Sequence, residues 1–248
     1  MQYNQKTQKY FDIVFSEMKS MLNLDDPKNK KEIGEAVMNK IFGGNNTTKA
    51  KSREFTKKEI FLANKIFKPL SEIMLSLEAI ENISIYIRYR PSKHQRVSEL
   101  RYLQYHIENY LHELYILEQR LESYLTMLYR AYKKSNRKTK IDDIVSIVRS
   151  YVREVFAGYI SIRGDHVHQS RYMDGDLSRL QTLSLFSNTK DMLGSITKLF
   201  FEIDYKDIRK KWRKKIEVGI KNIHELLDVY FVNLTNIISI NDKIIYPF

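Results

Sequence analysis

The densest titratable chemistry in the chain lies in Arg163-Gly164-Asp165-His166-Val167-His168, with Arg171 three residues further on. Two of the six histidines sit there. Histidine has an unperturbed pKa near 6.5, so it both gives and takes a proton around neutral pH. Arginine is a permanent cation whose planar fork fits phosphate oxygens. Together they supply what RNA strand cleavage needs. An acid or base handles the 2′-hydroxyl or the leaving oxygen, and a cation stabilises the charge gathering on phosphorus. That chemistry requires no metal, and no cofactor is expected. General acid–base help is worth about 10²–10⁴ in rate. One His and one Arg therefore make a modest enzyme, and two copies facing each other across a dimer axis would share the acid and base roles.

Helix geometry constrains this site. Arg163 and His166 share a face of a regular helix, as do His168 and Arg171. Arg163 and His168 lie about 140° apart around the axis. They converge on one phosphate if the helix is distorted at Gly164, or if Arg163 lies in its first turn, where free amides also attract an anion.

Other constellations carry weaker signals. His166 and His168 with Asp165 or Asp174 would be a zinc set, but two histidines two apart point to different helix faces. His106 and His112 also point apart and read as surface or partly buried polar positions. Glu113 and Glu118 are candidates to orient the Arg or His from behind, or are plain surface charges. The Arg-Gly-Asp tripeptide invites an adhesion reading, but the expected cytoplasmic helical setting argues against it. Lys206, Arg209, Lys210, Lys211, Arg213, Lys214 and Lys215 place seven cations in ten residues around Trp212. That run would hold a nucleic-acid backbone with Trp212 stacked on a base, or form a solvated face with Trp212 packed inward.

Composition bounds the rest. The 248 residues are long enough to bury a sizeable core, and the net charge of +12 attracts polyanions. Cysteine is absent, which excludes disulfides, thiolate nucleophiles and thiolate metal sites. The first residues, Met1 to Lys6, lack the apolar core of a signal peptide. No uncharged apolar run approaches the roughly 20 residues of a membrane span. A cytoplasmic protein without membrane association is expected.

The elements that must position the motif read as helices. Apolar residues recur at helical spacing over 5–24, and Asp25-Asp26-Pro27 stops that stretch. A second helix is expected over 28–42, followed by the polar loop opened by Gly43-Gly44. Thr56 and Glu59 match a capping box that starts a long helix, which Pro69 should kink or split. Residues 83–88 alternate like a strand but read as helix. Residues 96–134 form the clearest amphipathic element, and another helix starts near Asp142. That helix either continues through Arg163 or breaks at Gly158 or Gly164. Residues 173–176 form a turn, 177–187 a short amphipathic segment, and 189–203 and 204–240 two helices or one bent helix. Residues 241–248 form a tail or docking segment. The fold class is therefore all-α, a helical bundle of long antiparallel helices. The expected organisation is an N-terminal helical extension over 1–55 and a main domain over 56–248.

The spacing Arg163-x4-His168 on a helix of an all-α, basic, cysteine-free chain resembles the HEPN superfamily. The likeness covers roughly residues 70–240. It implies a four- to five-helix bundle, often a homodimer, and a metal-independent endoribonuclease of toxin–antitoxin or phage-defence type. Arg163 would stabilise phosphoryl charge and His168 would be the acid or base, with Asp165 and His166 supporting them. Arg171 and the cations of 206–215 would gather RNA, and an antitoxin or regulatory protein would be a partner. The residue after the Arg departs from the family's pattern: Gly164 stands where a polar residue is usual, and Asp165 follows one place later. That departure favours a second expectation, a catalytically inactive HEPN-like scaffold or nucleic-acid-binding regulator.

Overall fold

A computed structural model describes residues 4–23, 26–27, 56–89, 98–133, 138–168, 172–187 and 189–248, and within the helix that ends at His168 it describes the side chains of 140–159. The protein is all-α. Its helices are α1 (Gln5–Leu22), α2 (Lys57–Phe61), α3 (Lys68–Arg88), α4 (Glu99–Tyr132), α5 (Lys138–His168), α6 (Gly175–Phe186) and α7 (Met192–Ile238). The strands among the described residues are β1 (Ser239–Ile240) and β2 (Lys243–Ile244), paired antiparallel.

Local chemistry explains the boundaries. Thr56 caps α2 as expected: its hydroxyl accepts from the Glu59 amide, and the Glu59 carboxylate accepts from the Thr56 amide. Pro69 does not end the helical run, but the α-helical geometry is interrupted just before it. A π-helical turn, Leu62–Phe67, joins α2 to α3, and the Lys68 amide reaches back five residues to the Ala63 carbonyl. Proline lacks the amide that would bind four residues back, and a widened turn just before it absorbs the mismatch. The strand-like residues 83–88 are helical, and 192–238 is one continuous helix. Asp174 caps α6 by accepting from the Leu177 amide. The expected second helix over 28–42 and the boundary after residue 55 lie outside the described residues.

Two compact units share the long helices, with divisions inside α3, α4, α5 and α7. One unit comprises Ile73–Glu122 and Arg149–Leu226. Its core is a periodic set of Ile73, Leu77, Ile80 and Ile83 with Leu114, Leu117, Leu121, Val152, Phe156 and Ile216. Burying each such side chain contributes about 1.5–3 kcal/mol. This unit holds the candidate site.

The other unit comprises Gln2–Glu72, Ser123–Val148 and Leu227–Phe248. Here α1 packs on the far end of the chain. The Thr7 hydroxyl donates to Asp228 at 2.6 Å, and the Tyr10 ring lies 4.8 Å from Phe231. The Tyr10 and Tyr124 hydroxyls share a buried hydrogen bond, and burial pushes both phenols well above their ordinary range. The tail docks. Asn241 and Asp242 take positive φ, the two-residue turn that joins β1 to β2. Beyond it the Tyr246 hydroxyl donates to Glu17 at 2.9 Å, and Phe248 stands edge-on to Phe61.

Candidate nucleic-acid interface

The helix α5 runs unbroken to His168, so no break occurs at Gly158 or Gly164. On that backbone the Cα positions of Arg163 and His168 stand about 140° apart around the axis. The side chains of Arg163, Asp165, His166 and His168 lie outside the described residues, as does Arg171. The chain re-enters the description at Tyr172, and there it is firmly held. The Tyr172 carbonyl accepts from Gln104 Nε2 at 3.2 Å, and its ring stands perpendicular to Trp212 with centroids 5.7 Å apart. Burial, and then Asp174, push the Tyr172 hydroxyl up to about 12. The chain leaving the motif is thereby seated against α4 and the basic stretch of α7.

In that basic stretch the buried positions Tyr205, Ile208, Trp212, Ile216 and Gly219 recur every three or four residues. Trp212 belongs to this stripe and is only 4% exposed. Its expected role on a nucleobase is therefore corrected: the indole packs inward, because its neighbours one turn away on either side are Ile208 and Ile216. Lys215 covers its ring from 4.3 Å. Arg209 is half-buried, its guanidinium 5.6 Å from the Tyr205 ring.

The remaining cations are exposed but differently engaged. Lys211 is paired with Asp176, which raises its pKa. Arg213 meets Glu217 at 3.3 Å, and the same carboxylate oxygen accepts from Arg88 at 3.2 Å. Lys206, Lys210 and Lys214 are exposed at four-residue intervals. That spacing sets three ammonium groups on one face, roughly 6 Å apart along the axis, a row suited to a phosphate backbone.

An unforeseen feature lies where the end of α3 meets the start of α4. His106 is ringed by Tyr102 at 4.4 Å, Tyr105 at 5.3 Å and Tyr86 at 5.5 Å. Tyr102 donates to the Tyr86 carbonyl at 3.0 Å, which joins the end of α3 to the start of α4. His106 is 8% exposed, and its Nδ1 is buried without a hydrogen-bond partner. Burial lowers its pKa, which favours the neutral ring, an aromatic plate between the tyrosines. Tyr86 and Tyr105 are 49% and 62% exposed, and Tyr89 is exposed beside them. Half-open rings held by a buried plate are the kind of surface that suits stacking against flat aromatic groups, unpaired bases among them. The sequence carried the pieces, tyrosines three apart at 86 and 89 and at 102 and 105, beside Arg88 and Arg101, but not their meeting around His106.

The other expected residues are placed as follows. His112 is exposed and Glu113 half-buried. Glu118 is buried and accepts from Gln119. Glu122 binds Arg149 at 3.0 Å and Arg153 at 3.8 Å. Asp174 is engaged as the α6 cap, and among the described residues no cluster of three His, Asp or Glu side chains could hold a metal. No described helix is long and apolar enough to cross a membrane. The chain matches no protein-family model, no curated protein and no solved structure.

Proposed function

We propose that the protein binds single-stranded RNA along the face formed by the tyrosine cluster and the α7 lysines, and cleaves it without a metal. Arg163 stabilises phosphoryl charge and His168 acts as the general acid or base, with Asp165 and His166 positioning them. Arg171 and the exposed cations of 206–215 gather the backbone. One observation carries this reading. Glu217 joins Arg88, two residues beyond Tyr86 at the end of α3, to Arg213 in the basic stretch of α7, and Tyr172, four residues beyond His168, is seated on that same stretch. The HEPN likeness supplies the catalytic part: a homodimeric endoribonuclease of toxin–antitoxin or phage-defence type in the cytoplasm, held by an antitoxin or regulatory protein.

A second reading is favoured by the unbroken α5. With Arg163 and His168 on different sides of one helix, a single chain does not bring them together, and a non-catalytic RNA-binding regulator would need neither. The deciding experiment incubates wild type and His168→Ala with a labelled RNA pool in chelator. Products with 2′,3′-cyclic phosphate ends, lost in the variant, support the ribonuclease. Binding without cleavage by wild type assigns the regulator.

A further inference from the structure

The start of α7 presents a surface that a lone soluble chain does not need. Met192, Leu193, Ile196, Leu199, Phe200 and Ile203 are 80%, 53%, 41%, 62%, 49% and 49% exposed. At 100° per residue they occupy an arc of about 120°, the width of a helix face that normally meets a partner. Leu185 and Phe186, at the end of α6, add two more open apolar side chains. The hairpin that carries the surface is braced: Arg179 of α6 pairs with Asp204 of α7 at 2.7 Å, and Asp191 accepts from the Gly194 amide at 2.8 Å. Single exposed apolar residues are ordinary, but a contiguous patch of this size marks an interaction site.

We infer that this face is where two copies of the chain pair, with their α7 helices antiparallel about an axis between Ile196 and Leu199. The inference rests on the dimeric part of the proposed function and not on catalysis. Area is the first argument. Eight large side chains, each leaving on the order of 100 Å² open, approach the roughly 800 Å² per partner of a standard interface.

Self-complementarity is the second argument. The axis brings Met192 level with the partner's Ile203, and Ile196 level with the partner's Leu199, so apolar meets apolar along the centre of the face, while Leu193 and Phe200 at its edge fall level with the partner's Glu202 and the partner's Ser195. Charge is the third. Lys206, Lys210 and Lys214 continue the same helix face. In a parallel pairing they would lie against their own copies. In the antiparallel pairing each row starts roughly 13 Å from the axis on opposite sides, so the two rows are separated by well over a Debye length of about 8 Å. The lysine rows then stay open for nucleic acid at both ends of the dimer.

The test is the mass of the full chain in solution by light scattering across roughly 1–100 µM, with helicity checked for each variant. Wild type is expected at twice the single-chain mass. Leu199→Glu and Ile203→Glu are expected at the single-chain mass. Val218→Glu, an equally exposed apolar position on the same helix beyond the lysines, remains dimeric. Two chains of net charge +12 repel, so added salt should tighten the dimer while weakening RNA binding. The cysteine-free sequence allows a second measurement: Leu199→Cys should cross-link between copies with a short bis-maleimide, and Val218→Cys should not. A dimer that survives Leu199→Glu and Ile203→Glu overturns the surface while leaving a dimer elsewhere. A wild type monomeric at 100 µM overturns both, whether or not the face then binds phosphatidylglycerol vesicles. Cleavage is assayed separately, so its failure is not mistaken for either result.

Discussion

Arg88 and Glu217 meet across 3.2 Å, joining the last turn of α3 to the middle of α7, and both are substantially exposed. An exposed ion pair contributes at most about 1 kcal/mol. Its consequence is electrostatic: one carboxylate holds two arginines that, under the proposed function, would otherwise be open to a phosphate. Glu217→Gln should leave thermal stability nearly unchanged and strengthen RNA binding several-fold. The salt dependence should steepen by about 0.7 in log–log slope for each arginine that gains a single-strand phosphate contact. Fluorescence anisotropy in a His168→Ala background, at several salt concentrations, measures both.

The tyrosines and lysines should fail in different ways. Tyr86→Ala or Tyr105→Ala should cost about 1–3 kcal/mol of binding per lost base stack, with the salt slope unchanged. Lys206→Ala, Lys210→Ala and Lys214→Ala should each lower the slope by about 0.7 and weaken all sequences alike. A platform that serves packing alone would show unfolding instead of an affinity loss.

His106 makes stability depend on pH. Burial holds its folded pKa below the ordinary 6.5, so the unfolded chain binds the proton more readily. The sign follows: stability is fullest above about 6.5 and declines as pH falls through that value toward the lower folded pKa. His106→Phe removes this dependence and relieves a buried nitrogen without a partner, so it should be neutral or stabilising at pH 7. Urea midpoints of both proteins at pH 5 and pH 7 give the difference.

Gly219 sits in the interior of a 47-residue helix, where glycine ordinarily weakens. A Cβ there would overlap the Tyr110 hydroxyl, which burial and Tyr159 push far above its usual pKa. Gly219→Ala should destabilise by about 1–3 kcal/mol through overpacking. Tyr110→Phe in that background should recover part of the loss, and a double-mutant cycle by denaturation isolates the contact.

Periodicity made the helices legible. The apolar stripe of α4 and the capping pair Thr56 and Glu59 could be read directly. The rotation of α7 was readable too, since Ile208 and Ile216 flank Trp212 at helical spacing and favour the inward-packed alternative over the base-stacking one. The π turn before Pro69 was not legible, because sequence shows a missing donor but not how the backbone absorbs it. The tyrosine cluster needed two helices to be brought together, and only Tyr86 packing on His106 reveals it. Gly219 gave no sign of Tyr110, more than a hundred residues away in sequence.

The contact between Thr7 and Asp228 spans 221 residues. At roughly 5–20 residues per second of synthesis, α1 leaves the ribosome on the order of ten seconds or more before its partner segment exists. In that interval Tyr10, Phe11 and Val14 have nothing from residues 227–248 to cover them. The unit that contains α1 therefore completes this contact only after residues 227–248 are made, and long-range contacts of this kind form slowly. The nascent chain is the form most exposed to aggregation and to capture by chaperones.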